Sequence, residues 1–274
     1  MSPGLGSTPD SAYNKKVLPI SLPMTSLEPS VDFNLPRIVF FGRTFAEYEQ
    51  MFNFTDAELA GKRILDCPSG PDSFVAESFN RGLDVVGCDP VYQNQSAEQL
   101  YERAKTDITF CLAQAQVRMD QFPTFTDEIF AQFSQAKLEA MEKFYHDFKD
   151  RPQAYQVGSL PHLPFADNSF DWVLSAHFLL AYSSIESGGI LPNSPFDLDF
   201  HHQAMTELLR IAREQVRLYP IYTNNHPRQR HAYVNPIVEK LTQTGHRVEF
   251  IPSTYNQGSP VENFTLVIYK NSHS

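Results

Sequence analysis

The chain has 274 residues, 42% of them hydrophobic and 20% charged, which suits one full core with some embellishment. A formal net charge of -10 argues against the broadly basic surface with which nucleic-acid binders release counterions from phosphates. No apolar run approaches the ~20 residues of a membrane span, and the first residues lack the charged-then-apolar layout of a signal peptide; a cytoplasmic protein is expected.

Residues 1–36 are rich in Pro, Ser and Thr without a sustained period, which predicts an extended or flexible arm before a domain at 37–274. A short helix follows at 44–52, with Phe45, Tyr48 and Phe52 on one face, and a second helical turn begins at Asp56. Residues 63–67 form an apolar strand punctuated by Pro68-Ser69-Gly70-Pro71. A helix at 72–81 turns Phe74, Val75, Ser78 and Phe79 inward and is stopped by Gly82, and the next strand, 84–88, ends in Asp89-Pro90. This unit has the size of a right-handed βαβ crossover with parallel strands.

Two helices, 96–119 and 126–149, exceed a single crossover and form a helical insertion at 96–150 between the second and third strands. Phe130, Phe133, Met141, Phe144 and Phe148 make one stripe along the second helix, suited to core packing or to a lid. Strands at 154–157 and 170–176 come next, then a Gly/Pro/Asn-rich loop at 183–199. The insertion and this loop are expected to cover a pocket together. A helix at 200–214, a strand at 215–221 and a helix at 232–244 stopped by Gly245 lead to strands at 247–252 and 264–270. Lacking a crossover helix, the last two should pair antiparallel. The sum is an α/β fold: a doubly wound, seven-stranded, mostly parallel sheet with the last strand reversed.

Cys67, Cys88 and Cys111 are odd in number and lie in apolar surroundings, so they read as buried free thiols. Asp197, Asp199, His201 and His202 have metal-ligand chemistry. An Asp beside a helix start is normally a cap, however, and no metal is expected. No Cys pair, phosphate loop or Ser/His/Asp order is evident.

Ligands of open α/β sheets bind beyond the carboxyl ends of the strands. Three strand ends carry polar signals here: Asp66-Cys67-Pro68-Ser69-Gly70-Pro71-Asp72, then Asp89, then Gly158-Ser159-Leu160 followed by Leu163-Pro164-Phe165. Gly70 permits close approach of backbone to a ligand, and Pro71 fits a first helical position. Asp89 stands about 20 residues after the turn, where a carboxylate can accept from both hydroxyls of a ribose.

The chain resembles the class I S-adenosylmethionine-dependent methyltransferases, of the small-molecule type. The likeness is carried by Ile64-Leu65-Asp66-Cys67-Pro68-Ser69-Gly70, by Val85-Val86-Gly87-Cys88-Asp89-Pro90, and by residues 163–173, Leu-Pro-Phe-Ala-Asp-Asn-Ser-Phe-Asp-Trp-Val. It covers roughly residues 60–95 and 154–270. It implies that Asp66, Pro68, Ser69 and Gly70 hold the methionine part of S-adenosyl-L-methionine and that Asp89 holds the ribose. Pro90, Val91, Tyr92, Ser159 and Leu160 would lie by the adenine, and Ala176 and His177 at the methyl-transfer site. Arg43 and Tyr48 precede the fold on a helix able to close over the cofactor. Pro68 and Asp72 depart from the family's glycines, so the turn must be shaped differently.

Methyl transfer needs a base only when the acceptor carries a proton at neutral pH. His177 is the first candidate, against a packed role, and His201, the inward member of the His201-His202 pair, is a candidate for substrate contact. The expected partner is a small-molecule acceptor, with neither nucleic acid nor membrane. Two rival readings remain open: a methyltransferase fold serving as a non-catalytic binding protein, and an NAD-dependent oxidoreductase. The latter's G-x-G-x-x-G is missing.

Overall fold

The computed structural model describes residues 34–121, 125–224, 228–255 and 263–271. The first 33 residues of the expected arm lie outside them. Of the rest, Leu35 is already buried, and its N–H donates to Ile190 O at 2.8 Å, so packing begins before residue 37.

Seven strands form one sheet: β1 (Arg63–Asp66), β2 (Asp84–Cys88), β3 (Tyr155–Gln156), β4 (Phe170–Ala176), β5 (Ala212–Tyr219), β6 (Arg247–Pro252) and β7 (Phe264–Tyr269). Their order is β3-β2-β1-β4-β5-β7-β6. The first five pair in parallel, and β7 runs antiparallel to both β5 and β6. The winding direction therefore reverses between β1 and β4.

The alternation of strand side chains sends the sheet's residues to two cores. Ile64, Trp172, Leu174 and Tyr219 face one core, and Leu65, Val173, Val216 and Leu218 face the other. The first core is completed by α1 (Phe45–Phe52), α3 (Phe74–Asn80) and the insertion helices α4 (Ala97–Gln116) and α5 (Asp127–Asp150). The second is completed by α6 (Leu198–Ile211) and α7 (Val234–Gln243). The short α2 (Asp56–Leu59) buries Leu59. Starts are set by local chemistry: Thr44 with Glu47 and Ser96 with Gln99 make capping boxes, and Asp197 accepts the Phe200 N–H. Asp197 is thus a cap.

Three boundaries differ from expectation for tertiary reasons. The helix expected over 200–214 stops at Ile211, and Ala212 enters β5. Arg213 binds Asp171, and Glu214 binds Lys62 and the Trp172 indole, so cross-strand partners override a good helical run. Phe79 does not face inward. Phe74, Val75 and Ser78 cover the sheet, while Phe79 is 57% exposed under the Arg151 guanidinium. The third strand keeps only two residues, because Ala154 closes a 3-10 turn and Val157 is exposed.

The aromatic stripe of α5 divides. Met141, Phe144 and Phe148 are core, with Phe144 against Phe40 and Tyr155. Phe133 instead meets Phe41, in the segment before α1. That segment, residues 34–44, is also fastened by Asp107 of α4, which accepts the Phe40 N–H and pairs with Arg37. The long loop contributes Ile190 and Leu191 to a small core with Leu35, Cys111 and Tyr182. All three cysteines are buried and free.

Candidate functional site

The residues singled out at the ends of β1, β2 and β4 converge where the winding reverses. Asp66, the last residue of β1, is fully buried. Its Oδ1 lies 2.8 Å from Tyr48 Oη, and its Oδ2 has no partner. Beyond it the turn is pinned to β2. The Ser69 N–H donates to Cys88 O at 3.0 Å and the Gly70 N–H to Asp89 Oδ2 at 3.0 Å. Gly70 has φ +57°, and a Cβ there would meet nothing within 4 Å, so this bend opens onto free space. Ser69 Oγ is buried and unpartnered. Pro68 follows a cis peptide bond and carries no N–H to offer a ligand.

Asp72 does not face that space. Its carboxylate accepts the backbone N–H of Arg43 and, at 2.6 Å, the Tyr48 hydroxyl. The departure from glycine thus serves to hold the segment before α1 onto the turn. Gly42 is part of the same seam, since a Cβ there would overlap the Pro71 carbonyl.

Tyr48 contacts two carboxyl groups with one hydroxyl hydrogen. Both contacts are hydrogen bonds only if one carboxyl is protonated. Burial pushes both acids up, while the Arg43 charge restrains Asp72, so the pair holds a proton between them.

Asp89 ends β2. Burial pushes it up to about 6, against the stabilising N–H groups of Val91 and Gly70. It caps the turn Pro90–Tyr92, with Pro90 exposed and Val91 half-buried. Ser159 is exposed in a tight turn bridged to His162, and Leu160 is half-buried.

At the end of β4, Ala176 is buried and the Ser175 hydroxyl is buried without a partner. His177 has φ +48°, a sparsely populated conformation for a non-glycine residue, and its N–H donates to Tyr219 O at 2.6 Å. Its ring stands edge-on to Tyr219 at 5.2 Å and to Tyr255 at 6.0 Å. Burial, then the charges of Arg43, Lys137 and Arg228, push it well below the usual histidine range, so it is neutral at physiological pH.

His201 is inward, but it is not at the site as expected. Its Nδ1 lies 2.6 Å from Asp197 O and its Nε2 2.9 Å from Leu179 O, so both ring nitrogens face backbone carbonyls, to one of which a neutral ring donates. It fastens α6 to the segment after β4. A Ser–His contact also forms that the sequence did not suggest: Ser183 Oγ lies 2.6 Å from His231 Nε2. Because the Tyr233 N–H donates to Nδ1, Nε2 carries the ring hydrogen and cannot act as a base toward Ser183.

Residues missed by sequence reasoning stand near Arg43 and His177. Lys137 of α5 is fully buried and paired with Glu47 of α1, whose Oε1 also accepts from Tyr255 Oη at 2.8 Å. Burial alone would raise Glu47, yet Lys137 and Arg43 hold it below its usual range. The available signal was a lysine seven residues after Phe130 and four before Met141, on the apolar stripe itself.

Six strands run one way and β7 reverses between β5 and β6, the seven-stranded, mostly parallel, doubly wound sheet expected from the sequence. No family model matches the chain. It belongs to the same family as the uncharacterized protein MJ0045 of Methanocaldococcus jannaschii, being 31% identical to it over 194 residues, 69% of this chain and 80% of that protein. Among solved structures it resembles magnesium protoporphyrin IX methyltransferase from Synechocystis PCC 6803 with bound SAM, at TM-score 0.40, 12% identity and 79% and 73% of the two chains. Another is 1,6-didemethyltoxoflavin-N1-methyltransferase from Burkholderia thailandensis, at TM-score 0.39, 11% identity and 79% and 76%.

Proposed function

We propose that the protein is an S-adenosylmethionine-dependent methyltransferase acting on a small-molecule acceptor. One observation carries this reading: the buried polar atoms Asp66 Oδ2 and Ser69 Oγ, at the end of β1 and in the turn after it, lack hydrogen-bond partners beside the β1–β4 reversal, where this sheet type binds ligands. Buried polar groups are normally paired, so two such atoms at the turn fit a polar ligand. Gly70, bent toward open space, and Asp89, buried at the end of β2, fit the same cofactor.

In this reading Asp66, Pro68, Ser69 and Gly70 border the methionine portion, and a positively charged ammonium there would favour the ionised form of Asp66. Asp89 would accept from the ribose hydroxyls with the lone pairs left free by Gly70 and Val91. Pro90, Val91, Ser159 and Leu160 would border the adenine. The cofactor supplies an electrophilic methyl group. Ala176 would wall the transfer site, and the neutral His177 would take the proton of a hydroxyl or amine acceptor. His201 is left out of the chemistry, since both its nitrogens are engaged.

Calorimetry with S-adenosylhomocysteine and with NAD tests the cofactor, and Asp89→Ala tests the ribose contact. Removing that carboxylate should weaken S-adenosylhomocysteine about ten- to a hundredfold, the size of a charge-assisted hydrogen bond. Equal binding by the variant would end the ribose assignment, and binding of NAD alone would replace the reading with an oxidoreductase.

A further inference from the structure

Arg43 is 9% exposed, and its guanidinium lies over the Phe41 ring at 5.6 Å, yet its hydrogen-bonding capacity is nearly unused. Among the described residues its one side-chain hydrogen bond runs from Nη1 to Phe41 O at 3.4 Å, and Nε has no partner. No carboxylate lies within ion-pair distance of it among those residues. The nearby acids are otherwise engaged, Asp72 with Tyr48 and the Arg43 backbone, Glu47 with Lys137 and Tyr255. Taking a cation out of water costs several kcal/mol unless it is paired, and a guanidinium offers five N–H donors in a fork that matches a carboxylate.

The surroundings repeat the message. Arg228 Nη2 is also buried without a partner. The charges of Arg43, Arg228 and Lys137, from three separate parts of the chain, all act on the His177 ring. Beside them Tyr219, Tyr255 and His177 pack mutually edge-to-face at 5.2–6.0 Å, an aromatic cluster next to the cations. A protein of net charge -10 has gathered cations beside its expected methyl-transfer position.

We infer that the acceptor is a small organic carboxylate, its anionic group taken by Arg43 with support from Arg228, and its flat body against Tyr219, Tyr255 and His177. This rests on the methyltransferase reading. The shared chemistry, a carboxylate on a buried guanidinium, has a second possible source in the methionine carboxylate of the cofactor.

The test uses the full chain, saturated with S-adenosylhomocysteine, titrated with matched pairs: benzoate, 4-hydroxybenzoate and nicotinate, each against its neutral amide. The acids should bind at least tenfold tighter than the amides. Arg43→Gln should abolish the difference while leaving S-adenosylhomocysteine affinity within threefold. Arg43→Lys should keep part of the preference, and Arg228→Gln should weaken the acids less than Arg43→Gln, outcomes that a misfolded variant would not give. Equal binding of acids and amides overturns the proposal, as does no acid binding to a protein that holds S-adenosylhomocysteine. It is also overturned if Arg43→Gln weakens S-adenosylhomocysteine but not 5′-methylthioadenosine, which lacks the carboxylate. Acid-selective binding without any binding of S-adenosylhomocysteine would instead sink the methyltransferase reading and keep the anion site.

Discussion

Tyr48 Oη lies 2.8 Å from Asp66 Oδ1, joining the first helix to the end of the first strand at the centre of the site. The same hydroxyl reaches Asp72 at 2.6 Å, so one phenol links two buried acids. Tyr48→Phe should cost about 1–3 kcal/mol, because two buried carboxyl groups lose a partner while the ring can still pack on Phe74. Chemical denaturation measures it, and an unchanged midpoint would mean that water replaces the hydroxyl.

The shared proton has a pH signature. Burial raises both acids above their unfolded values, Asp72 to about 7. A raised folded pKa gives stability that is complete at low pH and lost as pH rises through the folded value. The buried histidines act oppositely, but His231, pushed down to about 4 by burial, has made its full contribution once pH exceeds the unfolded value of ~6.5. Lys137, lowered to about 8 by burial, adds stability only above that pH. Stability should therefore fall as pH rises from ~6.5 through the folded value of Asp72, about 7. Asp66→Asn should flatten this slope, and melting temperatures across that range decide the matter.

The buried pair Lys137–Glu47 ties α5 to α1. Lys137→Met leaves Glu47 unpaired in a closed environment, and Glu47→Gln leaves Lys137 likewise, each at about 3–5 kcal/mol. The double variant should be more stable than the sum of the singles predicts. Strict additivity in a double-mutant cycle would show that the pair is not coupled.

For His177, the depressed pKa changes what a pH profile should show. An unperturbed imidazole would lose activity as pH drops through about 6 to 7. A ring kept neutral by burial and by Arg43, Lys137 and Arg228 stays a base to more acidic pH. His177→Ala should hold S-adenosylhomocysteine affinity within a few fold and lower turnover by roughly 10²–10⁴. A variant of full turnover and normal stability would leave orientation as the whole mechanism.

Gly42→Ala probes the seam between the segment before α1 and the Pro71–Asp72 turn. The added methyl has no room against the Pro71 carbonyl, and backbone cannot swing aside as a side chain would. A loss of about 1–3 kcal/mol is expected, with weakened cofactor binding if the turn shifts. Unaltered melting and binding would show that the seam opens freely.

The architecture was legible in the sequence because it is written in local periods. The strands over 84–88, 170–176 and 247–252 begin and end where alternation and punctuation put them, and the reversed last strand follows from the missing crossover helix. Asp66, Gly70 and Asp89 were legible because a strand end and a turn place them at the sheet's carboxyl edge whatever else the chain does. What only the tertiary structure decided is how distant groups share charges and hydrogens. Asp72 stands at a glycine position of the family's turn, yet Arg43 and Tyr48 turn it toward α1. Lys137 looks like a stray charge on a helix stripe until it meets Glu47, 90 residues away. His201 shows the proton chemistry of a base until two backbone carbonyls engage both its nitrogens. Residue type sets what a group can donate or accept; burial and the partners brought to it by folding decide which of those capacities remains for a ligand.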